Sequence, residues 1–147
     1  MKKVLLLFVL SSGVFVMTAQ STSKKVVPDP MLYEIRSESK IAEYLEMAPD
    51  KILDLNSYVQ NFCYVSNEKP ADGKVLGDIS DVKSPGCNVD ASNIIVKKRI
   101  NPGLFSFRQD EGQYNVYTIG STGWYVIVYP IEIYTQKREE YMNQYKK

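Results

Sequence analysis

Residues 113–134 read QYNVYTIGSTGWYVIVYPIEIY, and this stretch decides the fold. Two runs rich in β-branched and aromatic residues, 113–119 and 124–134, flank the turn sequence GSTG at 120–123. This pattern predicts two consecutive antiparallel strands joined by a tight turn. The second run is apolar on both faces as far as Tyr129, which is typical of a central strand covered on both sides. Pro130 lacks the backbone N–H that a strand ladder needs, so strand pairing is expected to weaken there.

The runs on either side extend this pattern. Residues 93–100 (NIIVKKRI) and 104–109 (LFSFRQ) are separated by the turn clusters NPG and DEG, which predicts a meander of four consecutive strands. The composition of residues 57–65 (SYVQNFCYV) predicts one more strand. The charged tail at 135–147 contains good helix formers and predicts a short C-terminal helix.

The N-terminal half contains one clear helical pattern. Residues 37–48 place Ile41, Tyr44, Leu45 and Ala48 on one face, and Pro49 ends the pattern. Residues 31–36 fit either a strand or a helix capped by Asp29, and the sequence does not separate these interpretations.

The predicted fold class is α+β, with an N-terminal helix packed on an antiparallel β-meander of four to six strands and a short C-terminal helix. The alternative is a small β-sandwich or barrel with peripheral helices. The length of 147 residues suits one domain, which we assign to residues 31–147, preceded by a flexible lead at 20–30.

Residues 1–19 have the features of an export signal. Two lysines precede an apolar run, and small and polar residues follow it. The apolar part is shorter than the roughly 20 residues that span a bilayer. We predict cleavage after Ala19, which would leave a mature chain of 128 residues in the bacterial periplasm or outside the cell, with no stable membrane span. An uncleaved anchor is the alternative.

Export to an oxidising compartment suggests that Cys63 and Cys87 form a disulfide. The bond would hold the polar loop at 66–92 in place. It would also restrict the unfolded chain, which stabilises the fold by about 3.5 kcal/mol in the chain-entropy account. A redox or metal pair is the alternative, but the spacing is far from Cys-x-x-Cys and the chain has no histidine.

Composition excludes several function classes. The absence of histidine rules out histidine-based catalytic triads and histidine-ligated zinc. The balance of 18 basic and 17 acidic residues argues against a nucleic-acid binder. The basic cluster at 97–99 is interpreted as charge on an edge strand, with an acidic partner or a lipid headgroup as the alternative.

The acidic and serine motifs are weak. The aspartates of the polar loop do not match the spacing of a calcium loop, and Asp110 with Glu111 sit next to each other in a turn instead of across a cleft. Ser121 lies between glycines without the spacing of a nucleophile elbow. We therefore predict no catalytic residue, no metal and no cofactor. The aspartates considered are Asp72, Asp78, Asp81 and Asp90.

The aromatic residues are the best candidates for a binding site. Tyrosine and tryptophan are enriched at protein interfaces, and their rings also stack on sugars. The residues we select are Trp124, Tyr125, Tyr117 and Tyr129. The favoured function is a non-enzymatic protein-interaction module or accessory subunit of the bacterial envelope. The alternatives are a carbohydrate-binding module that uses these rings, and a small hydrolase that uses carboxylates or a Ser/Lys pair.

Overall fold

The N-terminal helices begin at residues suited to that role. The computed structural model describes residues 24–146, so the predicted leader at 1–19 lies outside the described residues. Asp29 caps a 3-10 helix, Pro30–Glu34, by accepting a hydrogen bond from the N–H of Met31 at 3.0 Å. This settles the open choice at 31–36 in favour of the helix for most of the segment.

Two α-helices follow. Ser37 caps α1 (Glu38–Met47) by accepting a hydrogen bond from the N–H of Lys40, which confirms the helix predicted at 37–48. Pro49 is the first residue of α2 (Pro49–Asn61), where a proline costs no intrahelical hydrogen bond. The predicted strand at 57–65 is therefore wrong as far as Asn61, and only its last residues are extended.

The chain is an α+β protein built on an open, four-stranded mixed sheet. The strands are β1 (Cys63–Ser66), β2 (Lys74–Asp78), β3 (Asn115–Thr118) and β4 (Tyr125–Val128), in the order β1-β4-β3-β2. Strand β4 pairs antiparallel with both β1 and β3, which confirms the predicted hairpin between the runs at 113–119 and 124–134 as far as Val128. The predicted second strand is wrong at 131–134, where a helix begins. Strand β2 pairs parallel with β3, so the predicted all-antiparallel meander is wrong.

The first predicted meander strand is a helix, α3 (Ala91–Lys97). Asp90 caps it by accepting a hydrogen bond from the N–H of Asn93, and Lys98 ends it in the left-handed conformation with a φ of 50°. Ile94 is buried at the core while Val96 is 82% exposed, although residues two apart would share one face of a strand, so this burial fits a helix.

The second predicted meander strand, at 104–109, is wrong: Leu104 ends a 3-10 helix, Pro102–Leu104, and the segment makes an isolated antiparallel bridge from Phe105 to Lys83 instead of a strand of the sheet. The N–H of Ser84 donates to the carbonyl of Leu104, and the N–H of Ser106 donates to the carbonyl of Val82. The predicted C-terminal helix is present as α4 (Ile131–Asn143) and begins directly after Pro130.

The main core lies on one face of the sheet. Val65, Val126, Val128 and Tyr117 point from the strands into it, and side chains from α2, α3 and α4 pack on the same cluster. A second cluster of Leu32, Ile41, Ile52 and Val59 joins α1 and α2 to the first 3-10 helix. Helix α1 thus packs on α2, which extends the helical layer.

The predicted Cys63–Cys87 disulfide is not formed, and both cysteines are free thiols. Cys63 opens β1 with its side chain in the main core, whereas Cys87 lies half-buried in the loop before α3. Strand β2 and the bonds to residues 104–106 hold the polar segment instead of a cross-link.

Asp78 fastens the end of β2 to the β3–β4 turn. One carboxylate oxygen accepts hydrogen bonds from the N–H and hydroxyl of Ser80, and the other accepts from the Thr118 hydroxyl and the Gly120 N–H. Burial alone would raise the pKa of this carboxyl, but the four donated hydrogen bonds outweigh it and lower the pKa to about 2.

We predict that Asp78→Ala lowers the free energy of unfolding at pH 7 by about 1 kcal/mol, because the donors lose their acceptor but are exposed enough for water to replace part of it. A group with a lowered folded-state pKa stabilises above its unfolded pKa, and this contribution disappears as the pH falls towards 2. Urea unfolding at pH 7, 4 and 2.5 should show that the difference in unfolding free energy between variant and parent becomes smaller as the pH falls. Asp72→Ala, in the exposed loop before β2, is the control. A difference in unfolding free energy that does not depend on pH would contradict the role assigned to the Asp78 carboxylate.

Candidate functional site

Side-chain alternation gives the sheet two different faces. Val126 and Val128 of β4 point into the main core, so Tyr125, Ile127 and Tyr129 point to the opposite face. Register pairs Ile127 with Tyr64 of β1 and with Val116 of β3, which places these residues on that opposite face as well. This second face therefore collects aromatic residues from three chain segments.

We define the tyrosine face as Tyr64, Tyr114, Tyr125 and Tyr129. The Tyr64 and Tyr129 rings have centroids 4.9 Å apart and planes tilted by 37°, and Tyr114 lies 6.1 Å from Tyr129 with a tilt of 57°. All four rings are half-buried, while Val116 and Ile127 between them have no exposed surface. The accessible part of this face is therefore formed by the four tyrosines and by Val75 of β2, which pairs with Val116 and is 48% exposed.

The polar loop before β2 borders the tyrosine face closely. A Cβ added to Gly73 would lie 2.9 Å from Cγ2 of Val116, so only glycine allows this approach. On another side, Nζ of Lys137 lies 4.8 Å from the centroid of the Tyr129 ring, within cation–π range.

The Tyr64 and Tyr129 hydroxyls stay protonated at neutral pH. Burial raises the pKa of Tyr64 to about 12, and the neighbouring Tyr129, Tyr114 and Asp72 add to the shift. Burial likewise raises the pKa of Tyr129. A neutral phenol both donates and accepts a hydrogen bond, so the face offers paired apolar and polar contacts without charge.

The four aromatic residues selected from the sequence separate in the structure. Tyr125 and Tyr129 lie together on the tyrosine face. Tyr117 is a core residue, 3% exposed, and its hydroxyl accepts a hydrogen bond from the N–H of Arg108 at 2.9 Å, so it cannot belong to a binding surface. Trp124 packs at the edge of the main core on the other side of the sheet, with Nζ of Lys98 6.0 Å from its ring.

Sequence reasoning missed Tyr64 and Tyr114 as partners of Tyr129. The strand predicted at 57–65 includes Tyr64, but a prediction for one strand does not identify its neighbours in the sheet. Only the pairing of β1 with β4, about 60 residues away in the chain, brings Tyr64 beside Tyr129.

A cleft of about 260 Å³ opens beside α3, next to the main-core residues Ile94 and Phe105. Its floor is apolar, with Met31, Ile94 and Phe105, and its rim carries Glu34, Asp90, Lys97, Arg99 and the free thiol of Cys87. The cleft is the concave feature that the hydrolase hypothesis requires.

A buried polar network holds one wall of this cleft. Asp29 is 6% exposed and accepts hydrogen bonds from Gln60 and from Arg99, both at 2.8 Å. Its own N–H donates to Asn56 Oδ1, and Asn56 Nδ2 donates to the Val27 carbonyl. The described part of the predicted lead is thereby attached to α2.

The acids of the cleft have structural partners. A Glu34 oxygen accepts a hydrogen bond from Asn101, and Asp90 caps α3. Among residues 24–146, no group of three or more cysteine or acidic side chains could hold a metal ion. The cleft therefore has the shape of a site, but its carboxylates are engaged in maintaining the fold.

Comparisons of the chain with known protein families, with curated proteins and with solved structures found no match. In the part of the chain that the structure describes, no helix is long and apolar enough to cross a membrane.

The two thiols should differ in reactivity. Burial raises the pKa of Cys63 to about 12, which leaves almost no thiolate at neutral pH, whereas Cys87 lies at the cleft. We predict one iodoacetamide adduct per folded, non-reduced chain and two adducts in denaturant, measured by intact mass. Cys87→Ser should give none when folded. If both thiols react only after reduction, the predicted disulfide between Cys63 and Cys87 is present after all.

Proposed function

We propose that the mature chain is an exported, non-enzymatic protein of the bacterial envelope that binds a protein partner through the tyrosine face. The observation that carries this proposal is the gathering of Tyr64, Tyr114 and Tyr129 on the sheet face opposite the main core. Large rings held by the strands beneath them lose little conformational entropy on binding, which makes tyrosine effective at protein interfaces.

Ring geometry favours a protein partner over a glycan. Stacking of consecutive sugar rings would require a flat row of exposed aromatic faces, whereas these planes are tilted by 37° and 57°. Tilted, half-buried rings instead form an uneven surface with recesses into which side chains of a partner protein can fit. The phenol hydroxyls offer hydrogen bonds to the partner's backbone.

Export is supported by the basic and apolar pattern of residues 1–19. We predict that the chain recovered from the periplasm or the medium of a bacterial host begins at or within a few residues of Gln20. N-terminal sequencing and intact mass measure this directly. Full-length chain in the membrane fraction, with Met1 present, would instead indicate an uncleaved anchor.

We predict that Tyr64→Ala and Tyr129→Ala each weaken partner binding by tenfold or more, since central interface tyrosines often contribute about 2 kcal/mol. The mature protein is used to capture its partner from the native envelope, and affinity is then measured with the purified partner. Tyr33→Ala is the matched control, because Tyr33 is 48% exposed on the first 3-10 helix. Circular dichroism and urea unfolding verify that each variant is folded.

Three results would argue against this function. Capture of polysaccharide alone would favour the carbohydrate-binding alternative. A partner that binds the two tyrosine variants as tightly as the parent would place the interface elsewhere. Turnover of an envelope substrate by the purified chain would favour an enzyme.

A further inference from the structure

A second, smaller pocket of about 240 Å³ lies where α1 and α2 meet. Arg36, Tyr44, Lys51, Asp54 and Leu55 line it, and we refer to it as the Tyr44 pocket. Tyr44 comes from the last turns of α1, Lys51 from the first turn of α2, and Arg36 from the residues just before α1. The pocket is therefore formed by elements of the second core cluster, away from the strands that carry the tyrosine face.

Basic groups converge on the Tyr44 ring. The ammonium groups of Lys40 and Lys51 each lie 5.0 Å from the ring centroid. Arg36 donates a hydrogen bond from Nη1 to the Ile35 carbonyl at 2.8 Å, which orients the guanidinium while leaving its other N–H groups available. Two of the lining residues are thus cations with donors to spare.

The acids nearby are already paired. Asp54 Oδ1 lies 2.5 Å from Nη2 of Arg138, and Lys40 lies 2.8 Å from Glu43. Among the described residues, neither Arg36 nor Lys51 has a carboxylate within ion-pair distance. The acidic residue of the lining, Asp54, therefore has its charge offset by Arg138, while Arg36 and Lys51 form no salt bridge within residues 24–146.

We propose that the Tyr44 pocket binds a phosphate group, either as inorganic phosphate or as a phosphomonoester on a larger molecule. A phosphate monoester carries a charge of about −1.5 to −2 at neutral pH, which matches the two uncompensated cations, whereas a carboxylate would neutralise only one. The planar guanidinium of Arg36 can hold two phosphate oxygens at once, and Lys51 supplies a point charge beside them. Tyr44 and Leu55 provide a surface for the group that carries the phosphate.

Charge distinguishes this pocket from the larger cleft beside α3. Glu34 and Asp90 balance Lys97 and Arg99 on the rim of that cleft, so its charge selects no ligand class. The Tyr44 pocket is smaller, but its two unpaired cations specify an anion. The inference is independent of the tyrosine face.

The test is titration of the mature protein with sodium phosphate at constant ionic strength, followed by calorimetry and by amide NMR shifts. We expect saturable binding that Arg36→Ala and Lys51→Ala each weaken at least about tenfold, as expected for loss of a charge-assisted contact. Arg36→Lys should recover only part of the affinity, because an ammonium cannot make the two-oxygen contact. Lys69→Ala, in the exposed loop before β2, should bind like the parent.

Flotation with lipid vesicles distinguishes the source of the phosphate. Co-flotation with phosphatidylcholine vesicles containing phosphatidic acid, lost in Arg36→Ala and Lys51→Ala, would indicate a lipid phosphomonoester. Saturable binding of inorganic phosphate without flotation would indicate a soluble ligand. Three results would overturn the proposal. The NMR shifts could rise linearly with phosphate concentration, acetate could bind as tightly as phosphate, or both alanine variants could bind phosphate with the affinity of the parent.

Discussion

The burial of strand β4 on both faces is the constraint on which the rest of the structure depends. Val126, Ile127 and Val128 have no exposed surface, and the strand is paired along both edges, with β1 and with β3. One face requires a helical layer to cover it. The other face is covered by rings from the strands themselves, because a tyrosine can shield Ile127 while keeping its hydroxyl in water.

Local patterns predicted the elements whose partners lie close in the chain. The β3–β4 hairpin depends on a short turn, and α1 depends on Ser37 and on its own apolar face, so both could be predicted. Residues 93–97 were misassigned because a short run of β-branched residues fits a strand and a buried helix equally well, and the cap at Asp90 decides between them. Strand β2 could not be predicted, because its parallel partner lies about 40 residues away and its own sequence is polar.

The composition of the tyrosine face was only half predictable for a related reason. The density of tyrosines in the second half of the chain identified the region, and alternation places Tyr125 with Tyr129. Which face is the core depends on where the helices pack, and this assigns Tyr117 to the interior. Tyr64 joins the cluster through the pairing of β1 with β4, and a pattern within one strand contains no information about such a distant neighbour.

The buried Asp29 network joins distant segments of the chain on the helical side of the sheet. Asp29 receives hydrogen bonds from Gln60 of α2 and from Arg99 after α3, two segments that are far apart in sequence. A carboxylate with so little exposed surface is stable only while these donors stay in place, because an unpaired buried charge is costly. The helices that carry the Tyr44 pocket are thereby held to the segment that leads into the sheet. Arg36, just before α1, and Tyr64, in β1, belong to different parts of the fold, so the two proposed sites can be changed independently.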